Sequence, residues 1–205
     1  MNKLFFSIIF CFLTIAGLLT GCRKREAEAV LPRVDGKKVV MIVAARNFRD
    51  EEFQRPKEIL ESQGAKVTIA SSTLDLATGM LGARVKPDVL VKDIKVEDYD
   101  AIVFVGGVGA AEYWEDPVAH RIAREAVEKG KILCAICIAP VTLANAGVLS
   151  GKKVTVFGAE AEKLKAKGAK YTGAKVEQDG NIITASGPEA AKEFGEAIVR
   201  ALAKR

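Results

Sequence analysis

Cys137 is the residue best placed in this sequence to do covalent chemistry. It stands in residues 131–143, KILCAICIAPVTL, where an apolar run of strand length ends and Pro140 marks the start of a helix. A thiol at such a junction faces unpaired N–H groups and the positive end of a helix. Both stabilise a thiolate, so a lowered pKa is expected. The sharp turn resembles a nucleophile elbow, which exposes a reactive atom above a sheet. The plain alternative is a buried cysteine acting as a small hydrophobe. Cys134 completes a C-x-x-C with Cys137, the spacing of a thioredoxin-like redox pair. With Cys134 inside the strand, three residues at ~3.3 Å each set the Cα atoms about 10 Å apart. A disulfide needs less than about 7 Å, so Cys134 reads as core.

A residue so placed needs a sheet beneath it. Residues 39–45 (VVMIVAA), 66–71 (KVTIAS), 101–105 (AIVFV) and 132–136 (ILCAI) are apolar runs of strand length. Helical periods lie between them: 51–63 stopped by Gly64, 117–129 capped by Gly130, and 139–146 capped by Gly147. Buried strands separated by helices imply a parallel sheet covered on both faces, an open doubly wound α/β sandwich of flavodoxin-like type. Residues 72–100, with Gly79, Gly82, Pro87 and the β-prone 89–91, break the alternation and predict a small hairpin insertion. Residues 153–157 and 181–185 predict two late strands, with Asp179-Gly180 as a turn before the second. Pro188 opens a last helix whose Ala191, Phe194, Ile198 and Leu202 share one face. Ligands of such folds bind at the carboxyl ends of the strands, which here are 47–52, 106–109 and 137–140.

The remaining inventory excludes several functions. One His among 205 residues rules out a multi-His metal site, and four Cys rule out a disulfide scaffold. No metal and no cofactor is expected. The net charge is +5. Residues 1–36 hold five basic and three acidic residues, leaving 26 basic and 23 acidic in the rest. Lys and Glu interleave there without aromatics to stack bases, so no nucleic-acid partner is expected. Gly106-Gly107-Val108-Gly109 follows a strand, yet it is neither G-x-G-x-x-G nor a P-loop.

Residues 4–19 are almost all apolar, follow Lys3, and end in Leu19-Thr20-Gly21-Cys22. The run suits a signal-peptide core, and the tetrapeptide resembles the bacterial lipobox. The expected organisation is therefore 1–21 as a signal peptide, 22–36 as lipidated Cys22 with a polar tether, and 37–205 as one domain. That places the domain in the cell envelope, anchored to a membrane by lipid on Cys22. The alternative is an uncleaved membrane helix, for which Arg23-Lys24-Arg25 would favour a cytoplasmic domain.

Four ordered segments resemble the ThiJ/PfpI family, with its class I glutamine amidotransferase-like fold, over residues 38–203. They are Asp50-Glu51-Glu52-Phe53 with Pro56, VFVGG at 103–107, AICIAP at 135–140 and DGNIITASGP at 179–188. The resemblance implies Cys137 as nucleophile and Glu52 as the acid that hydrogen-bonds its sulfur. It implies backbone N–H groups of Gly107 and Ile138 as oxyanion donors, and a homodimer. It also implies a glyoxalase or hydrolase type of reaction on a small aldehyde or activated carbonyl. Read alone, Glu52 also suits a solvated first-turn Glu, and Gly106-Gly107 a tight turn. The chain departs from the family pattern in three places. Ile138 stands where the protease-like branch has His, Phe157 stands near where the deglycase branch often has another, and Ala139 replaces the elbow Gly. His120, the only His, falls on a helix and reads as a surface residue. A Cys-His dyad is not available, which weakens a peptidase or amidase reading. A redox-responsive protein sensing oxidants through Cys137 is the other alternative.

Overall fold

The computed structural model describes residues 30–205; the signal peptide expected over 1–21 and lipidation at Cys22 lie outside the described residues. From Lys38 the chain forms β1 (Lys38–Ile42), the short β2 (Arg46–Phe48), α1 (Asp50–Ser62) and β3 (Lys66–Ser71). The insertion gives β4 (Ala77–Gly79), β5 (Arg84–Val85) and β6 (Val89–Leu90). Then come β7 (Ala101–Phe104), α2 (Pro117–Glu128), β8 (Ile132–Ile136) and α3 (Pro140–Asn145). β9 (Lys153–Val154), α4 (Ala161–Ala166), β10 (Lys170–Tyr171), β11 (Val176–Asp179), β12 (Ile182–Ala185) and α5 (Ala191–Leu202) complete it.

One seven-stranded sheet has the order β11-β12-β8-β7-β1-β3-β6, and only the β11–β12 pair is antiparallel. Its strands are apolar on both faces because helices cover both. Val39 and Met41 of β1, Val103 of β7 and Cys134 of β8 point into the layer of α1 and α5. Val40, Ile42, Ile102, Phe104 and Leu133 point into the layer of α2, α3 and α4. Cys134 is thus a fully buried core residue. The α1–α5 crossing is close because Gly195 has no side chain: a Cβ there would lie 2.9 Å from Pro56 Cα. α2 starts where Asp116 Oδ1 accepts from the N–H groups of Val118 (2.6 Å) and Ala119 (2.9 Å), with Pro117 behind it.

The architecture is the expected mainly parallel α/β sandwich, with local differences. The hairpin exists, as β4 and β5, and a parallel β2 joins it in a separate three-stranded sheet. Residues 89–91 do not belong to it; Val89–Leu90 adds to the main sheet beside β3. Residues 153–157 are not a strand of the main sheet. Lys153–Val154 pairs with β10, after which the Thr155 N–H donates to Thr184 Oγ1 (2.8 Å) and the Phe157 N–H to the Cys137 carbonyl (2.9 Å). Those two bonds steer the chain out of the sheet and toward the end of β8. The helix after Cys137 is six residues, Pro140–Asn145, not eight. The compact unit spans Leu31–Arg205, so the last residues of the tether segment pack on the domain: Val34 is buried and donates its N–H to Gln63 O (2.8 Å). Among the described residues no helix is long and apolar enough to cross a membrane.

Candidate active site

Strand β8 ends at Ile136, and the next residue, Cys137, turns into the left-handed region at φ 63°. That conformation costs a residue with a side chain about 1–2 kcal/mol. Two backbone bonds hold it: the Cys137 N–H donates to Ala185 O at the end of β12 (2.9 Å), and the Cys137 carbonyl accepts from Phe157. The thiol is thereby lifted off the sheet, partly exposed, against the α1–α5 layer.

Glu52 comes from the first turn of α1 and is fully buried. Neither of its carboxyl oxygens has a partner in hydrogen-bond geometry, although the Cys137 thiol and the Gly106 N–H lie near enough to act on its charge. Burial dominates and pushes Glu52 up to about 7 from an ordinary 4.5; Cys137 and Arg49 pull it back in part. The Cys137 thiol is pushed up to about 12 by burial first and by the Glu52 charge second. The N–H groups of Gly107 and Ile138 pull it down, and they do not win. The lowered thiol pKa expected from the sequence is therefore corrected: a six-residue helix and two N–H groups are outweighed by desolvation and a neighbouring carboxylate. That second cause vanishes whenever Glu52 holds a proton, so the two groups titrate as a pair.

Gly106 and Gly107 make the convergence possible. A methyl on Gly106 would overlap Glu52 Oε2 and lie 2.5 Å from Cys137 Cβ. Gly107, at φ 96°, faces backbone: a Cβ would lie 2.6 Å from Asn47 O and 2.6 Å from Phe48 C. The Arg49 N–H bonds Gly106 O at 2.9 Å, stitching the two loops together.

Glu52, Gly107, Cys137 and Ile138 line one cavity of about 200 Å³, with Arg49, Met80, Val108, Phe157 and Pro188 completing its wall. A larger cavity of about 340 Å³, with Phe157 and Pro188 in common, adjoins it and carries Ser186 and Glu189 but no thiol. His120 lines neither cavity. It is half-buried rather than on the surface, and its Nε2 lies 2.7 Å from Trp114 O; against a carbonyl, that nitrogen is the donor. Among the described residues no group of three or more His, Cys, Asp or Glu side chains could hold a metal ion.

Sequence reasoning placed Arg49 within the 47–52 strand end and Pro188 at a helix start but singled out neither as a site residue, and it missed Met80. Arg49 precedes α1 and grips Glu51 with two bonds (2.9 and 3.2 Å). Met80 is placed by Asp50, a buried first-turn carboxylate that accepts from the N–H groups of Leu81 (2.8 Å) and Ala83 (2.7 Å). Gly79 must be small there, since its Cβ would lie 2.6 Å from the Asp50 carboxyl. The available signal was the pairing of an acidic helix start with the Gly-rich turn at 79–82.

Residues 37–201 match the family model described as DJ-1/PfpI family. An uncharacterised protein of Methanocaldococcus jannaschii is 44% identical over 170 residues, 82% of this chain and 83% of the relative. A Caenorhabditis elegans protein named glutathione-independent glyoxalase is 30% identical over 179 residues, 87% and 89% of the two chains. A Pyrococcus horikoshii protein named deglycase is 32% identical over 149 residues, 73% and 90%. The solved ThiJ/PfpI domain protein of Brachyspira murdochii superposes with a TM-score of 0.81 at 31% identity, covering 85% of this chain and 99% of the other.

Proposed function

Because the chain belongs to the DJ-1/PfpI family, we propose that it is a cysteine-dependent enzyme of the glyoxalase/deglycase type, acting on small aldehydes or activated carbonyls. One observation carries the reading. Cys137 and an otherwise unpartnered buried carboxyl, Glu52, converge in a cavity sized for a small molecule. The names of the worm and archaeal relatives support the reaction type.

For a 2-oxoaldehyde the step proceeds as follows. The thiol proton of Cys137 passes to ionised Glu52 while sulfur bonds the aldehyde carbon. The carbonyl electron pair moves to oxygen, which the N–H groups of Gly107 and Ile138 stabilise. Glu52 returns the proton to that oxygen, giving a hemithioacetal. The carboxylate then takes the hydrogen on the former aldehyde carbon as a proton and delivers it to the neighbouring carbon, while the hydroxyl proton of the hemithioacetal passes to the neighbouring carbonyl oxygen. One carbon is oxidised to a thioester as the other is reduced to an alcohol, so no external redox partner is consumed. Water cleaves the thioester and frees a 2-hydroxycarboxylate and the thiol. A carboxyl near 7 suits both directions of transfer at neutral pH. Ile138 and Phe157 leave no imidazole on the cavity wall, so Glu52 carries the proton alone.

The test is methylglyoxal consumption with lactate as product. The full chain is expected to turn it over and the Cys137→Ser variant to lose turnover. Equal turnover by the variant, or none by the parent, overturns the reading. A second reading, oxidant sensing, is favoured by the same unpartnered carboxyl, which when protonated can donate to an oxidised Cys137 sulfur. Mass spectrometry after mild peroxide tests it, and absence of selective oxidation at Cys137 removes it.

A further inference from the structure

The two oxyanion donors of the proposed reaction come from separate loops. Gly107 opens a 3₁₀ segment, Val108–Tyr113, and Ile138 lies in the turn before α3. Trp114 immediately follows that segment, and its indole Nε1–H donates across to Ile138 O at 3.2 Å. The same oxygen accepts the Val141 N–H at 3.2 Å, so both of its lone pairs are engaged. The preceding peptide, which carries the Ile138 N–H, is held at its own oxygen by Phe157. Ile138 is thus pinned on both sides, and Trp114 supplies the only side chain among those bonds.

Trp114 is itself unusually well fixed. Its carbonyl accepts from His120 Nε2 of α2 (2.7 Å) and from Asn145 Nδ2, the last residue of α3 (3.0 Å). The side chain is half-buried and packs on the α2–α3 core, with Lys163 Nζ 5.1 Å from the ring centroid. The neighbouring Tyr113 hydroxyl donates to Val43 O beyond β1 (2.9 Å) and accepts from the Ser72 N–H (3.1 Å), so the segment is fastened at the sheet as well. Trp114 touches none of the cavity.

We infer that Trp114 is a positioning residue: its indole N–H locks the Ile138 turn so that the Ile138 N–H and the Gly107 N–H address one oxyanion. His120 and Asn145 hold Trp114 in turn, which gives the single histidine of the chain a role at one remove from the thiol. The inference rests on the glyoxalase-type reading.

The full chain is compared with Trp114→Phe, which keeps a ring and loses the donor. Turnover of methylglyoxal is expected to fall about tenfold in kcat, less than the ~100-fold that a full ~1 Å misplacement at a reacting centre can cost, with KM within about twofold. If Trp114→Phe does not fold, biosynthetic replacement of the sole tryptophan by 3-benzothienylalanine, which has sulfur in place of N–H on the same ring shape, asks the same question. Unchanged kcat in a folded donor-less variant overturns the inference. A second readout is independent of turnover. Alkylation of Cys137 with iodoacetamide is expected to shift the emission of Trp114, and this shift is expected to be absent after alkylation of Cys137→Ser. A parent that shows the shift without turnover overturns the enzyme reading and leaves Trp114 coupled to the Cys137 turn. A parent that turns over and shows no shift, with alkylation of Cys137 verified by mass, overturns the coupling.

Discussion

Glu52 and Cys137 meet across Gly106, whose missing side chain is the space in which carboxyl and thiol face each other. The pair is drawn from the first turn of α1 and the end of β8, and nothing larger than hydrogen fits between its two arms. Replacing Gly106 with Ala is therefore expected to displace one arm. Overpacking of this kind costs about 1–3 kcal/mol. Urea denaturation should show that loss, and aldehyde turnover should fall by much more than the stability change accounts for.

Activity should follow the charge of Glu52. The carboxyl must be ionised to accept the thiol proton, and burial sets it at about 7. The pH profile of kcat/KM is expected to rise tenfold per unit on the acid side and level off above about 7. Glu52→Gln should lower kcat/KM by about 100-fold or more, the range of a lost general base. A flat profile in the parent would contradict the assignment.

Stability should depend on pH with the opposite sign. The folded carboxyl titrates near 7 and the free one near 4.5, so between those values the folded state binds more protons. Stability from this group is present below about 4.5 and is lost as pH rises through about 7. The total is on the order of 3 kcal/mol. Glu52→Gln should flatten the dependence and unfold at higher temperature than the parent at pH 8, as read by calorimetry.

Cys137 pays for its position with a left-handed backbone, φ 63°. Cys137→Gly and Cys137→Ala both delete the sulfur, but only glycine is relaxed there. The Gly variant is expected to be the more stable of the two by about 1–2 kcal/mol. Equal denaturation midpoints would show that the strain is absent.

Asp50 ties the 79–83 turn to α1 through two charged hydrogen bonds. Asp50→Ala strands both N–H groups and should loosen the wall that Met80 forms. Faster amide exchange at Leu81 and Ala83, with KM raised more than kcat is lowered, is the expected result.

The parts of this site legible in the sequence were those encoded in short runs. Cys137 at a strand end, Glu52 in an acidic helix start and the Gly106-Gly107 turn each carry a local signature, and all lie within one small region. The direction of the thiol pKa was not legible, because it depends on how deeply Glu52 and Cys137 are buried together, and burial is a tertiary quantity. Arg49 and Met80 were missed for a related reason: each is placed by a bond to distant backbone, Arg49 N–H to Gly106 O at 2.9 Å and Met80 N–H to Phe48 O at 2.9 Å, and Pro188, read only as a helix start, opens a 3₁₀ turn that tertiary packing brings to the cavity. Apolar content misled at 153–157, where only residues 154–156 are buried, and that without joining the central sheet, while Phe157 is exposed at the cavity wall. Trp114 offered no signal, since one aromatic in a loop says nothing about the carbonyl it will reach.

The close crossing of α1 and α5 at Gly195 has a consequence for the order of events during synthesis. Cys137 and Glu52 emerge from the ribosome well before Ala185, which anchors the Cys137 turn, and before Gly195, against which the helix carrying Glu52 comes to rest. A nascent chain that ends short of α5 carries both reactive groups and no site. The placement of the carboxyl thus waits on α5, the helix made after both reactive groups and the one against which α1 packs.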